Sequence, residues 1–412
     1  MVGELSESGA SWQEIEGRME EARRGDVDWR GGRIAVYAHF AGDAVLDVAK
    51  RASQMFFSEN GLGPAAFPSL ARFEREVLAM TIGLMHGSED ARGTMTSGGT
   101  ESIFLAVKTA RDWARVHRPS RATPKIVAPM SAHPAFNKAA HYLGLEIVRV
   151  PIDRHFRADV GAMARAVDAD TIMLVGSAPA FPHGLVDPIP ELAALAAERG
   201  LWLHVDACVG GYFLPFARDL GESLPVFDFA LPGVASMSAD LHKFGFTAKG
   251  ASTVLYADEE HFRFQAYEFD DWPRGRYFTQ GFAGTRPGGP IAAAWAVMTH
   301  LGAAGYRDIV RRILAVRRAL ERSVGELGLE VIGRPDGPLL AYGSSRIDVA
   351  ALAEALGKRG WFVSRLKEPP GIHMMLTIAH EPVVQRYLDD IAASLKDLPA
   401  SPGRKTEAAV QY

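Results

Sequence analysis

Lys243 stands in Ser238-Ala239-Asp240-Leu241-His242-Lys243-Phe244-Gly245-Phe246, just after a short apolar run. Flanked by leucine, histidine and two phenylalanines, it has unusual company for a solvated lysine. An apolar setting favours the neutral amine, the form that attacks a carbonyl. An exposed loop lysine is the plainer alternative, since most lysines are exposed. Upstream, Leu201-Trp202-Leu203-His204-Val205-Asp206-Ala207 reads as a buried strand ending in an aspartate. A carboxylate there can keep an aromatic ring nitrogen protonated; a helix cap or a buried ion pair is the competing reading. His133, in Ser131-Ala132-His133-Pro134-Ala135-Phe136, opens a helix after a strand, where an imidazole either stacks on a flat ring or serves as a cap or core residue. First in chain order comes Thr96-Ser97-Gly98-Gly99-Thr100-Glu101-Ser102, directly before an amphipathic helix. Two glycines admit close approach of a ligand to the backbone, Thr100 can cap the helix and donate its hydroxyl, and the first helical N–H groups favour an anion. The stretch is a phosphate cradle or a plain N-cap with a glycine turn.

The elements that must position these groups alternate. Short apolar runs at Lys125–Met130, Glu146–Ile152, Thr171–Ser177, Leu201–Ala207, Val234–Ser238 and Ser252–Ala257 read as strands. Helical patterns at Glu101–Val116, Pro134–Leu143 and Pro190–Arg199 lie between several of them, and Pro68–His86 forms an amphipathic helix before them. Buried strands alternating with helices make an α/β architecture with a largely parallel sheet, and in such sheets ligands sit at the carboxyl ends of the strands. A phosphate cradle, a stacking histidine, a strand-end aspartate and a lysine, in that order on this pattern, are the parts of a type I fold for pyridoxal 5′-phosphate (PLP). Downstream, Gly289–Gly302 reads as a buried helix and Tyr306–Leu327 as a long amphipathic one. A smaller α+β unit follows, with strands near 329–333, 339–343, 361–366 and 372–378 and a last helix over Glu381–Leu395.

Bulk properties narrow the class further. The formal net charge of −4 gives no electrostatic reason to expect nucleic acid. Arg311, Arg312, Arg317, Arg318 and Arg322 read as a solvated helix face. One cysteine, Cys208, rules out an intrachain disulfide framework and fits a reducing compartment. Met1 to Met19 has no apolar core of a signal peptide, and no run approaches a membrane span. The cytoplasm is the expected location, and no metal is called for.

The segments TSGGTESIFLAVKTARDWAR, SAHPAFNKAAHYLG, VGSAPAFPHGLVDPIPELAALA, HVDACVGGYFLPF, SADLHKFGFTAKGASTVLY and GTRPGGPIAAAWAVMTHLGAAGY resemble the sphingosine 1-phosphate lyase family, within the group II PLP-dependent decarboxylase superfamily. The resemblance spans about residues 33–380. HKFGFTAKG resembles the lyase branch in particular, since amino-acid decarboxylases more often carry tryptophan after the lysine. The resemblance implies a PLP-dependent transferase-like type I fold, with a large domain around a mostly parallel seven-stranded sheet and a smaller C-terminal α+β domain. It divides the chain into an N-terminal arm over residues 1–60, a PLP-binding domain over 61–303, a small domain over 304–398 and a flexible tail over 399–412.

For single residues the resemblance implies that Lys243 binds the cofactor as a Schiff base, His133 stacks on its ring and Asp206 binds the pyridine nitrogen. Gly98, Gly99, Thr100 and His242 would hold the cofactor phosphate, and Ser177 would lie near the ring hydroxyl. Gly284 and Thr285 would reach the cofactor phosphate of the neighbouring subunit, which makes the enzyme an obligate homodimer with shared sites. The family grips its substrate phosphate with a tyrosine, a histidine and the lysine six residues after the Schiff base. Tyr37 and Lys249 match two of these, and Asn60 matches the asparagine that opens the histidine-bearing segment. The histidine itself is replaced by Gly63, and two extra residues separate Tyr37 from Asn60; His39 is the residue that could compensate. The implied activity is retro-aldol cleavage of the Cα–Cβ bond of a phosphorylated sphingoid base, to a long-chain aldehyde and phosphoethanolamine. Decarboxylation of an amino acid on the same scaffold is the alternative, favoured by Gly63 and opposed by Lys249 and Tyr37. A third reading is a catalytically silent PLP-holding dimer, opposed by intact Lys243, Asp206 and His133.

Overall fold

The computed structural model describes residues 3, 5–120 and 122–398; the tail expected over 399–412 lies outside them. Seven strands form the main sheet: β1 Arg92–Thr96, β2 Lys125–Pro129, β3 Glu146–Val150, β4 Thr171–Ser177, β5 Trp202–Asp206, β6 Val234–Ala239 and β7 Ser252–Tyr256. Their order is β1-β7-β6-β5-β4-β2-β3. Pairs within β2 to β6 are parallel, whereas β7 runs antiparallel to both β6 and β1. The reversal has a local cause. Residues 240–251 join β6 to β7 without a crossover helix, so the chain turns back beside the strand it has just left. Lys243 lies in this return.

Strands β4 to β7 are buried along their whole length because helices cover both faces of the sheet. Alternate residues serve alternate layers. Val127, Leu174, Leu203 and Val205 pack with the layer that includes helices Ile189–Arg199 and Gly288–Glu326. Ile126, Ala128, Met173, Val175 and Trp202 pack with helices Gly99–His117 and Ala135–Leu143 on the other side. β1 is not among the runs that read as strands. Its sequence Arg-Gly-Thr-Met-Thr has no apolar run, although Thr94, Met95 and Thr96 are buried.

A hairpin of β8 Tyr267–Phe269 and β9 Tyr277–Thr279 precedes a second, antiparallel sheet. That sheet has β10 Glu330–Val331, β11 Leu339–Gly343, β12 Ser364–Leu366 and β13 Gly371–Met375, in the order β10-β11-β13-β12. The N-terminal segment joins this sheet, where Ile34 bridges Phe362 and the carbonyl of Ala35 accepts from the Met375 amide at 2.5 Å. Helix Asp43–Met55, not among the helices read from the sequence although it is amphipathic, packs along helix Gly288–Glu326.

The helices read at 289–302 and 306–327 lie in one stretch, Gly288–Glu326, interrupted at Gly302, whose φ of 52° and ψ of −178° are not helical. This backbone conformation is essentially glycine's alone, so two helices meet there at a kink, as read. The arginine row does need correction, because it is not uniformly solvated. Arg317 is 5% exposed, donates to the Gly337 carbonyl at 2.6 Å and pairs with Glu321 at 3.2 Å. Its position between Val316 and Leu320 turns it into the domain rather than to water. Among the described residues, no helix is long and apolar enough to cross a membrane.

Candidate active site

The carboxyl ends of β4, β5 and β6 open into a cavity of about 360 Å³. That is the scale of a small-molecule site. Its wall includes Gly98, Gly99, Thr100, His133, Ser177, Asp206, His242 and Lys243, all eight of which the family resemblance assigns to one cofactor. They come from five separate stretches of chain. Pro179, Phe181, Cys208 and Asp240 also line the wall and were not anticipated as site residues.

Gly98 and Gly99 lead from β1 into helix Gly99–His117. A Cβ on Gly99 would lie 2.7 Å from Cys208 Sγ and 2.9 Å from Asp240 Oδ2, so no larger residue fits. Thr100 does not cap the helix as expected: the N-cap is Gly98, and no side chain closes it. Glu101 instead turns back to accept from the Ser97 amide at 2.8 Å and the Ser97 hydroxyl at 2.5 Å. The first-turn amides therefore keep their anion-binding character.

His133 follows β2, and its Nδ1 accepts from the Ala135 amide at 3.1 Å. The bond places the ring proton on Nε2. The same imidazole that holds this helix amide also lines the cavity. Burial, with Lys243 nearby, keeps its pKa below the ordinary histidine value. Ser177 ends β4, and its amide donates at 2.8 Å to Asp187 Oδ2. Asp187 also accepts from the Ala158 amide at 2.8 Å, and burial pushes its pKa up to about 6. Asp206 ends β5 and accepts on Oδ1 from the Cys208 amide at 3.1 Å and the Ser238 hydroxyl at 3.3 Å.

At Lys243 the structure corrects the expected neutral amine. Asp240 Oδ2 lies 2.9 Å from Nζ. Burial is the largest single influence and favours the neutral form, but the Asp240 charge and hydrogen bond, together with the other groups around the amine, outweigh it and lift the lysine pKa above the ordinary range. Leu241 and Phe244, the apolar neighbours in sequence, point into the core rather than around the amine. Asp240 is buried, and despite that burial Lys243 and His242 keep its pKa low; it also accepts from Ser252 Oγ at 2.5 Å. Its signal is present in the sequence, three residues before the lysine in the same stretch.

The donor set fits pyridoxal phosphate. It offers an amine for an aldehyde, a carboxylate for a ring nitrogen and an imidazole face for the ring. For the phosphate it offers open helix amides beside a glycine that tolerates no Cβ, and His242 Nδ1, enclosed and without a hydrogen-bond partner.

The remaining expected residues lie outside the cavity wall. Lys249 Nζ donates to the His242 carbonyl at 2.9 Å and meets His39 Nδ1 at 3.2 Å. His39 packs edge-on against Phe244, and its Nε2 is enclosed without a partner. Tyr37 is exposed and holds a left-handed φ of 62°, an uncommon conformation for a bulky residue. Asn60 bridges Pro287, and its side chain accepts from the Leu62 amide at 3.1 Å. Gly63 stands where the family's histidine is expected. A Cβ there would meet only Ala66 Cβ, at 3.7 Å, so space does not exclude a side chain. Gly284 and Thr285 are exposed, and a Cβ on Gly284 would meet nothing within 4 Å.

Comparison with known proteins gives a consistent result. Residues 55–334 match the pyridoxal-dependent decarboxylase conserved domain. The chain is 41% identical to a sphingosine-1-phosphate lyase of Arabidopsis thaliana, over 95% of this chain and 73% of that protein. It is 39% identical to sphingosine-1-phosphate lyase 1 of Rattus norvegicus, over 98% of this chain and 72% of the rat protein. Among solved structures it is similar to a sphingosine-1-phosphate lyase of Burkholderia pseudomallei, with a TM-score of 0.92, 36% identity and coverage of 97% of this chain and 93% of that one.

Proposed function

The chain belongs to the sphingosine-1-phosphate lyase group of the PLP-dependent decarboxylase family, and from that we propose that it cleaves the Cα–Cβ bond of a phosphorylated long-chain amino alcohol of the sphingosine 1-phosphate type. The products are a fatty aldehyde and phosphoethanolamine. The observation that carries this reading is the convergence of Lys243, His133, Asp206 and the Gly98–Thr100 turn on one cavity.

In this reading Lys243 anchors the cofactor through its amine, and Gly98, Gly99, Thr100 and His242 hold the phosphate. His133 packs against the ring, Ser177 sits by the ring hydroxyl, and Asp206 keeps the ring nitrogen protonated. Bound pyridoxal phosphate supplies the electron sink that accepts the pair of the breaking Cα–Cβ bond. Asp240 favours the charged form of Lys243, which suits the lysine to return a proton to Cα once the bond has broken. Lys249, Tyr37 and Asn60 receive the substrate phosphate. His39, 3.2 Å from Lys249, takes the part of the histidine missing at Gly63.

Gly284 and Thr285 complete the site of a neighbouring subunit, which makes the working form a homodimer. Their exposure and their place outside their own chain's cavity wall support this. The lone, buried Cys208 supports a reducing, cytoplasmic setting.

Incubation with dihydrosphingosine 1-phosphate, beside a panel of amino acids, tests the activity. Long-chain aldehyde and phosphoethanolamine are expected, without carbon dioxide from the amino acids; the reverse pattern overturns the reading. Lys243→Ala is expected to abolish turnover together with the visible absorbance of lysine-bound cofactor, and persistence of that band refutes the role given to Lys243.

A further inference from the structure

Beneath Asp206 lies a row of polar groups in the driest part of the sheet. Trp202, His204 and Asp206 alternate along one face of β5, and Ser236 and Ser238 face them from β6, paired in register with His204 and Asp206. His204, Ser236 and Ser238 are fully buried, and Trp202 nearly so. None of the four lines the cavity.

The chemistry of the donors orders them in one direction. Indole can only donate, and Trp202 Nε1 lies 2.8 Å from Ser236 Oγ. Ser238 spends its single proton on the Asp206 carboxylate, so His204 Nε2 can bond Ser238 only as N–H, and Nδ1 of the neutral ring accepts the Ser236 hydroxyl at 2.8 Å. A neutral imidazole that accepts on Nδ1 carries its proton on Nε2. That nitrogen faces Ser238 Oγ at 3.2 Å. Ser238 also receives the Cys208 thiol at 3.3 Å, and its single proton goes to Asp206 Oδ1, likewise at 3.3 Å. Every hydroxyl donates once, and each bond polarises the next. Burial holds His204 neutral, with its pKa down to about 4.

We infer that Trp202, Ser236, His204 and Ser238 are positioning residues, a one-way hydrogen-bond chain that ends on Asp206 and holds its carboxylate ionised and oriented for the cofactor ring nitrogen. Both donors to Asp206 fall on Oδ1, so Oδ2 is the oxygen offered to the ring. The inference rests on the proposed role of Asp206. It does not depend on which bond of the substrate breaks, so a protein that binds cofactor but releases no aldehyde leaves it standing.

Ser236→Ala is the informative variant, because Ser236 touches neither Asp206 nor the cavity wall. Without its proton, His204 can adopt the other tautomer and take the Ser238 hydroxyl away from Asp206. Nitrogen-15 spectra of the parent protein should show His204 as the Nε2–H tautomer, and those of Ser236→Ala should show that tautomer lost or mixed. Affinity for pyridoxal phosphate should fall about tenfold, the scale of one lost bond to a charged group, with a shifted absorbance maximum of the bound cofactor. Ser236→Thr, which keeps the hydroxyl, should restore both. An Nδ1–H tautomer in the parent overturns the chain, as does a folded Ser236→Ala with parental affinity and spectrum. If Ser236→Ala fails to fold, the tautomer in the parent decides alone.

Discussion

At the scale of single residues, charge outweighs apolar neighbourhood. Lys243 reads as desolvated because leucine and phenylalanines surround it in sequence, yet those side chains belong to the core and its amine belongs to Asp240. Lys249 is the opposite case. Desolvation, then the charge of Lys243, push its pKa down to about 8. Its ordinary value is about 10.4. A lysine with a depressed folded value loses its proton first in the folded state, so its ammonium disappears as pH rises through about 8. Across the window from there to the ordinary value, its contribution to folding stability rises with pH, because the folded chain is relieved of a crowded charge. Binding of a phosphorylated substrate needs that charge. kcat/KM is therefore expected to fall above about pH 8. Lys249→Gln should remove this alkaline limb and raise KM by at least about thirtyfold, with a smaller change in kcat. A variant that keeps the parental limb would detach Lys249 from the substrate. His39 cannot share this titration, since burial, with the charges of Lys249 and Lys243 beside it, holds its pKa well below the ordinary histidine value.

At the scale of elements, the site depends on where helices begin and where strands return. Helix Gly99–His117 begins at the cavity only because Gly99 lies flush against Cys208 and Asp240, in the segments that follow β5 and β6. Gly99→Ala must move one of them. Overpacking of this kind costs about 1–3 kcal/mol, and affinity for pyridoxal phosphate is expected to drop by about ten- to a hundredfold, measured by titration of the cofactor-free protein. Parental affinity would show that the turn can yield and is not a fitted cradle. The glycine pair was legible in the sequence, because two glycines directly before an amphipathic helix leave the backbone open to a ligand. Its obligatory character was not, since Cys208 and Asp240 are more than a hundred residues away. Strands with apolar runs were legible, including edge strand β3, whose run shows although little of it is buried. β1 and the β8–β9 hairpin were not: β1 carries glycine and threonines in place of an apolar run although its last three residues are buried, and β8 is exposed.

At the scale of the whole molecule, the proposed dimer requires that a second chain approach Gly284 and Thr285, which are exposed. Complementation tests this. Lys243→Ala and Thr285→Trp chains, each inactive alone, should recover about a quarter of parental activity when co-expressed, since half of a random mixture of dimers pairs one defective and one intact site. No recovery would place Thr285 outside the partner's site. The inventory of chemical groups was determined by the sequence alone: lysine, aspartate, histidine and glycine turn, their order, and the strands and helices that bear them. These follow from local rules of periodicity, capping and residue chemistry. The antiparallel return that carries Lys243, the ion pair that charges it, the meeting of Lys249 with His39 and the polar row under Asp206 were decided only by the tertiary structure. Each is set by how strands pair across the sheet, and pairing depends on the burial of both faces at once, which no single stretch of sequence records.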